Sequence, residues 1–410
     1  MKFVASGKSA RGVLPRGFRF AAAACGLKKA NRLDLALIAT DVPAAAAGVF
    51  TTNLVQAAPV LISRAHLRAA ASRMRAIIVN SGNANCATGP TGLIASRATT
   101  AAVARALGCD ARQVLVCSTG VIGVPLRVER ILTAVPGLAR AMNAVPEAFA
   151  QLTRAIMTTD TRPKWAATSC RIGPALRDVR LLGCAKGAGM ISPRMATMLG
   201  FVLTDAAIRP AVLQRALSSV VPRTFNAITV DGDTSTNDTL LVLANGASGC
   251  PAIGRTGRDY QRFVVALEEV CRALALQIVA DGEGASRVVK IEVRGARSGR
   301  AAEQVARTMA GSPLVKTALA GADPNWGRIL AAAGRAGVRF DPDRVEIRMA
   351  GLVVCRRGRE YPFNERVAHG RLLRPYVPVV VDLKQGRGRA RVWTCDFTAD
   401  YVRINASYRT

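Results

Sequence analysis

A threonine stands at the head of an apolar segment, directly behind an alanine and a glycine-rich turn. Thr197 follows Ala196 and precedes residues 198–203, which are all apolar or glycine. The upstream turn, residues 186–190, reads Lys-Gly-Ala-Gly-Met. Cleavage between Ala196 and Thr197 would free the α-amino group of Thr197, and that amine can take the proton of the hydroxyl on the same residue. The pattern therefore predicts a peptide bond that breaks itself and leaves a competent nucleophile.

An α-amino group suits the role of general base at neutral pH. Its unperturbed pKa is about 7.7–8.0, and a catalytic base works best when its pKa lies near the working pH. We expect the Thr197 hydroxyl to attack the Ala196 carbonyl and the resulting ester to hydrolyse. The products would be an α chain, residues 1–196, and a β chain, residues 197–410. Within the β chain, a smaller C-terminal subdomain is expected from about 285–345 onward.

Two further segments carry groups that could stabilise or bind a substrate. Thr119 and Gly120 close a short apolar strand, where N–H groups and a hydroxyl can be aimed at a developing oxyanion. Thr158 and Thr159 follow a predicted helix and could form a polar wall around a substrate amine or carboxylate. Taken alone, the first segment fits an ordinary capped turn better, whereas the second fits a helix-end turn and a binding wall equally well.

Two charged side chains lie beside glycines. Lys186 could anchor a carboxylate as a point charge. Glu283 stands between Gly282 and Gly284 and could bind a substrate ammonium group. The alternatives are a solvated surface lysine and an ordinary helix end.

The acidic loop at 230–238 resembles a cation-binding loop only superficially. It lacks the glycine and the glutamate that an EF-hand loop needs, and Val242 stands where that glutamate belongs. We interpret the loop as a hydrogen-bonded turn that supports the site, and we expect no metal.

Composition excludes several classes of protein. The net charge is +30, but the basic residues are dispersed and aromatic residues make up only 5%, so nucleic-acid binding is not favoured. The ten cysteines form no C-x-x-C pair, and His66 and His369 lie in no catalytic motif. No apolar run reaches the ~18 residues of a membrane span, and the first residues lack the apolar core of a signal peptide. We therefore expect a cytoplasmic protein with free thiols.

The predicted elements mix strands and helices without regular alternation. Short strands are expected at 36–39 and 48–51, and a helix pattern covers 259–279. In the strand-rich last third, the turn at 384–388 is expected to join two strands as a hairpin. This mixture favours an α+β class, built as a layered sandwich.

Taken together, these residues give the chain a close resemblance to the ornithine acetyltransferase family of arginine biosynthesis, also called glutamate N-acetyltransferase. The matching motifs run in one order through nearly the whole chain: Leu14 to Phe18, Ala47 to Asn53, Asn80 to Asn85, Lys186 to Leu199, Thr229 to Asp238, Asp281 to Gly284, Ala322 to Arg328 and Asn405 to Thr410.

The resemblance implies transfer of acetyl from N2-acetylornithine to glutamate through an acetyl ester on Thr197, with Thr119 and Gly120 as the oxyanion hole. It implies that the pocket is lined by Thr158 or Thr159, Lys186, Glu283, Asn405 and Thr410. It also implies a fold similar to that of self-cleaving aminopeptidases and an oligomer, which we expect to be a heterotetramer of two α and two β chains. The expected partners are small amino acids, and no cofactor is expected. The sequence leaves open whether acetyl-CoA also serves as a co-substrate.

Three alternatives remain at this stage. A self-processed aminopeptidase could use the same threonine, and a basic protein could bind RNA. An inactive scaffold is the third, because Arg194 stands where the family usually has asparagine and places a bulky cation close to the bond to be cleaved. Activity is nevertheless expected, because Thr119, Lys186, Thr197 and Glu283 are all retained.

Overall fold

The computed structural model describes residues 13–29, 31–192 and 198–407. These residues form two β-sheets packed with helices, which confirms the α+β class. Their strands are β1 Phe18–Ala23, β2 Leu35–Phe50, β3 Met74–Asn83, β4 Val114–Val121, β5 Lys164–Ile172, β6 Arg177–Lys186, β7 Leu199–Thr204, β8 Thr239–Ala244, β9 Val288–Ala296, β10 Glu346–Met349, β11 Leu352–Arg356, β12 Arg359–Glu360, β13 Tyr376–Asp382 and β14 Gly388–Cys395. Their α-helices are α1 Ala58–Ala70, α2 Gly89–Leu107, α3 Val128–Arg140, α4 Pro146–Ala155, α5 Pro210–Val220, α6 Arg258–Ala280, α7 Gly299–Ala310, α8 Pro313–Ala320, α9 Trp326–Gly334, α10 Glu365–Leu372 and α11 Ala399–Ser407.

The first sheet has eight strands in the order β4-β3-β2-β8-β7-β6-β5, with β1 paired to β2. The strand β2 is long enough to join both halves of this sheet. Its first part pairs with β3 and its last part with β8, and its register with β3 shifts between Ala39 and Ala44. The two short strands expected at 36–39 and 48–51 are therefore parts of a single strand.

Helices cover both faces of this sheet, which explains its fully apolar central strands. Along β7, Phe201 packs into the core under α4, whereas the next residue, Val202, packs into the core under α5 and α6. Successive side chains of a strand point to opposite faces, so a strand covered on both sides must be apolar throughout. The apolar run after residue 197 is such a strand.

The second sheet has six strands in the order β12-β11-β10-β13-β9-β14. Helices α7, α8 and α9 pack against it around Val293, Val305 and Ile347. The predicted hairpin at 384–388 is wrong, because β9 lies between β13 and β14 and pairs with both. The connection wraps around the end of β9, where Leu383 N–H donates to the Arg294 carbonyl. A turn is visible in sequence, but a strand inserted from elsewhere in the chain is not.

Several expectations concern single side chains. All ten cysteines are free thiols. The imidazole Nδ1 of His66 lies 2.7 Å from the Val114 carbonyl oxygen, and that of His369 lies 3.1 Å from the Ala322 carbonyl oxygen. Both histidines therefore bond to backbone. No helix within the three described ranges is both long and apolar enough to cross a membrane.

Candidate functional site

A cavity of about 240 Å³ opens where the ends of β4 and β6 meet three loops and the last helix. Its lining residues come from seven separate segments of the chain: Ala84, Thr119, Gly120, Ile122, Thr158, Thr159, Lys186, Gly189, Met190, Asp231, Asp233, Ser235, Thr236, Asn237, Glu283, Tyr401 and Asn405. The structure thus brings together seven of the residues named from sequence: Thr119, Gly120, Thr158, Thr159, Lys186, Glu283 and Asn405. Ala196, Thr197 and Thr410 lie outside the described residues, as does Arg194.

Lys186 is the cation of this cavity. It is the last residue of β6 and only 7% exposed, and its Nζ donates to Thr119 Oγ1 at 3.2 Å. Burial lowers the pKa of Lys186, and the nearby carboxylate of Asp160 opposes that shift. A solvated surface lysine is thereby ruled out. The amino group is held within the cavity beside the hydroxyl of Thr119.

Gly120 occupies a position that accepts only glycine. Its φ of +135° is rare for residues with a side chain. A Cβ at this position would lie 2.3 Å from the backbone carbon of Gly82, which faces Gly120 across the β3–β4 pair. Strands β3 and β4 therefore approach closely here, and the backbone at 119–120 is held at the cavity wall.

Glu283 supplies the opposite charge. It lies on the turn after α6, is 7% exposed, and its Oε2 accepts a hydrogen bond from Asn405 Nδ2 at 2.8 Å. A Cβ on Gly189 would lie 2.3 Å from the same carboxylate oxygen, so the glycine is needed for close approach. Helix α11 thus closes the cavity through a direct contact with Glu283.

A buried ion network beneath the cavity connects its walls. Lys164, at the start of β5, places its Nζ 2.5 Å from both Asp160 and Asp281. Asp160 also accepts the backbone N–H groups of Thr158, at 2.9 Å, and Gly187, at 2.7 Å. Burial alone would raise the pKa of Asp160, but the charges of Lys164 and Lys186 hold it below its usual range.

This network fixes three lining segments relative to one another. Thr158 and Thr159 are held through Asp160, the turn after Lys186 through Gly187, and the Glu283 turn through Asp281, which also accepts from Thr161. Sequence analysis missed Lys164. No motif marks that lysine, and its partner Asp281 lies 117 residues away.

The loop at 229–238 supports the chain on both sides of residues 193–197. On one side, Asp231 accepts the N–H of Met190 at 2.5 Å and that of Ile191 at 2.8 Å. On the other side, Asp238 accepts the N–H of Met198 at 2.9 Å. Burial raises the pKa of Asp231 to about 6 and raises that of Asp238 well above its usual value. The loop therefore acts as the hydrogen-bonded support expected from sequence.

The charges in the cavity suit a small zwitterion. The ammonium group of Lys186 and the carboxylate of Glu283 are both nearly buried, and threonine side chains line the same cavity. Such a pair can bind one carboxylate and one ammonium group of the same ligand. Within the described ranges there is no cluster of three or more histidine, cysteine, aspartate or glutamate side chains that could hold a metal ion.

Comparison with known proteins gives full-length matches. Residues 19–410 match the model of the ArgJ family. The chain is 48% identical over 397 residues to the arginine biosynthesis bifunctional protein ArgJ of Geobacter sulfurreducens, a match that covers 96% of this chain and 99% of that protein. It is 46% identical over 413 residues to its counterpart in Symbiobacterium thermophilum, with complete coverage of both.

A crystal structure of the ArgJ protein from Bacillus halodurans is also similar. It shares 44% sequence identity with a TM-score of 0.50, and the match covers all of that solved chain but 52% of this one.

Proposed function

The chain belongs to the ArgJ family, and on that premise we propose that it moves the acetyl group of N2-acetyl-L-ornithine to L-glutamate through an acetyl ester on Thr197. It is an acyltransferase of arginine biosynthesis. The observation that carries the detailed proposal is the cavity itself. It unites Lys186, Glu283 and the Thr119–Gly120 backbone, and the loop along its wall anchors Met198, the residue joined to Thr197.

In the first half-reaction, the α-amine of Thr197 accepts the proton of its own hydroxyl as the oxygen attacks the acetyl carbonyl. Thr119 and Gly120 stabilise the negative charge that develops on the carbonyl oxygen. The carbon–nitrogen bond then breaks, the proton passes to the departing amine, and ornithine leaves. In the second half-reaction, the α-amine of glutamate attacks the ester and restores the free hydroxyl.

The charges of the cavity orient both amino acids through their shared α-carboxylate, and orient ornithine through its side chain as well. The Lys186 ammonium group binds the α-carboxylate that ornithine and glutamate share. Glu283, held by Asn405 at 2.8 Å, binds the side-chain ammonium group of ornithine. Because both substrates use one site in turn, the kinetics should be ping-pong. No step requires a cofactor.

Self-cleavage is the second part of the proposal. Asp231 and Asp238 accept backbone N–H groups of Ile191 and Met198, so the chain is anchored on either side of the segment that carries the bond to be cleaved.

The two fragments would remain one folded unit after cleavage. Strand β6 from the first fragment pairs with β7 from the second, with Lys186 opposite Leu199, and β2 pairs with β8 in the same way. Separation would expose these central apolar strands to water, at about 25 cal/mol per Å² of apolar surface. We further propose that two such units associate into the heterotetramer.

Denaturing electrophoresis tests cleavage directly. Wild-type protein should give two fragments, Thr197→Ala a single full-length band without activity, and Thr197→Ser two fragments again, because serine retains both hydroxyl and amine. Incubation with N2-acetylornithine should add one acetyl mass to the fragment that begins at Thr197.

Two outcomes would contradict the proposal: a single intact chain with full activity, or an acetyl group on the first fragment. Peptide hydrolysis without acetyl transfer would indicate an aminopeptidase instead.

A further inference from the structure

A second cleft is lined in part by Gly82, whose backbone faces Gly120 of the 240 Å³ cavity described above, which we call the transfer cavity. Its volume is about 510 Å³, and its lining residues come from the turn after β1, the end of β3 and the segment before α3: Gly26, Leu27, Lys28, Lys29, Gly82, Asn83, Val121, Val124, Pro125, Arg127 and Arg130. None of the activity described above uses this cleft.

The cleft is lined by four cations and by no carboxylate. Lys28, Lys29, Arg127 and Arg130 make no ion pair within the described ranges, in contrast to the paired lysine beneath the transfer cavity. The Nζ of Lys28 donates only to backbone carbonyl oxygens, those of Leu33 at 2.9 Å and Ala155 at 3.1 Å. Burial, and next the charge of Arg32, lower the pKa of Lys28 to about 8.

A helix end adds to the positive potential. Helix α3 has 13 residues and begins at Val128, and its N-cap residue Arg127 offers no side-chain acceptor to the first N–H groups. The N-terminus of a helix carries about half a positive charge. Glu129 in the first turn offsets part of this charge but does not line the cleft, so the two arginines of the cleft lie at a helix end whose first N–H groups have no side-chain cap.

One layer of backbone separates this cleft from the proposed oxyanion hole. A Cβ on Gly82 would lie 3.2 Å from Lys28 Cγ, and a Cβ on Gly120 would lie 2.3 Å from the backbone carbon of Gly82. The charge of Lys186 also acts on Lys28. An anion bound in the cleft would therefore lie next to the site where the acetyl group is transferred.

We propose that this cleft is a binding site for a phosphate-bearing ligand, with Lys29, Arg127 and Arg130 as its main contacts. Phosphate oxygens take several charge-assisted hydrogen bonds at once, and arginine presents its donors in a fixed fork that matches them. The ligand could be free inorganic phosphate or diphosphate, or the diphosphate of a nucleotide-linked acyl thioester. Both share the chemistry that the cleft recognises.

Titration calorimetry with inorganic pyrophosphate tests the site without relying on catalysis. The double variant Lys29→Gln/Arg127→Gln should bind at least about tenfold more weakly than wild type, and binding should weaken as salt screens the charges. Arg105→Gln/Arg140→Gln is the matched control, because both arginines are exposed, lie in the last turns of α2 and α3, and are absent from the cleft. The control should bind within twofold of wild type.

Two further measurements complete the test. Coenzyme A that displaces pyrophosphate would assign the cleft to a nucleotide-linked thioester, whereas pyrophosphate binding without displacement would assign it to a free phosphate compound. Acetyl transfer from N2-acetylornithine, which carries no phosphate, should stay within twofold of wild type in the double variant. Absence of pyrophosphate and coenzyme A binding at millimolar concentration, or equal losses in the double variant and its control, would overturn the proposal.

Discussion

Lys164 and Lys316 are the two most deeply buried lysines of the described ranges, and their surroundings differ. Lys164 lies under the transfer cavity of the first sheet, between the carboxylates of Asp160 and Asp281. Lys316, on α8 beside the second sheet, donates to Thr394 Oγ1 at 2.9 Å and to a backbone carbonyl, with no ion pair in the part of the chain that the structure describes. Burial lowers the pKa of Lys316.

The difference reflects what each lysine connects. Lys164 joins loops that line the cavity, and loops have no regular hydrogen-bond ladder to fix them, so charged pairs hold them in place. Lys316 fastens a helix to strand β14, two regular elements that already pack through apolar side chains. Removing one partner of a buried ion pair leaves an uncompensated charge. Removing Lys316 loses its hydrogen bonds and its contact with the Phe397 ring, whose centroid lies 4.6 Å from Nζ, but leaves no paired carboxylate behind.

The largest expected effect follows from the same substitution at the two lysines. Lys164→Met should lower the free energy of unfolding by about 3–5 kcal/mol, because Asp160 and Asp281 lose their buried cation. Lys316→Met should cost less, about 1.5–3 kcal/mol. Urea denaturation measures both. If Lys164→Met does not fold, adding Asp160→Asn and Asp281→Asn removes the stranded charges and should restore folding. Equal losses of unfolding free energy in the two variants would contradict the difference proposed here between the two lysines.

Two glycines, Gly120 in the first sheet and Gly351 in the second, allow the backbones of the two regions to be compared. Gly120→Ala should lower kcat/KM for acetyl transfer about 10²-fold, the usual cost of disturbing one oxyanion donor, because the new Cβ would force β3 and β4 apart. Gly351, between β10 and β11, also has a positive φ, of +86°, but a Cβ there would meet only the end of Arg371 at 3.5 Å.

The control substitution Gly351→Ala should therefore cost about 1 kcal/mol of stability through backbone strain and leave kcat/KM unchanged. Steady-state kinetics together with thermal unfolding separate the two effects. A similar loss of activity in both variants would show that the transfer site is no more sensitive to backbone changes than the second sheet is.

The smallest effect concerns Asp231, a buried carboxylate of the transfer site. Its pKa is raised from 3.8 to about 6, so the folded state binds a proton more tightly than the unfolded state does. Its contribution to stability is therefore full below pH 3.8 and is lost as the pH rises through about 6. Compared with Asp231→Asn, the wild type should lose roughly 1–3 kcal/mol more over this window. Parallel pH profiles of the two proteins would contradict this assignment.

Much of the site could be predicted because short sequence patterns mark its residues. Gly120 follows a strand, Glu283 stands between glycines, and both lie in the predicted cavity wall. The paired strands β5 and β6 were not foreseen, because β5 is only partly buried and mixes polar with apolar residues. Lys164, at the head of β5, was missed with them. Its role depends on a partner that the chain brings close only after folding.

The sequence by itself determined the family, the α+β class and seven of the residues that line the transfer cavity, because glycine turns, apolar runs and ordered motifs are properties of short segments. Only the tertiary structure decided that β9 separates β13 from β14, that Lys164 holds the cavity loops together, and that a second basic cleft backs onto Gly82. These features depend on contacts across long stretches of chain, such as the 122 residues between Glu283 and Asn405. Pairing at that distance is set by the packing of the whole molecule, which no local pattern records.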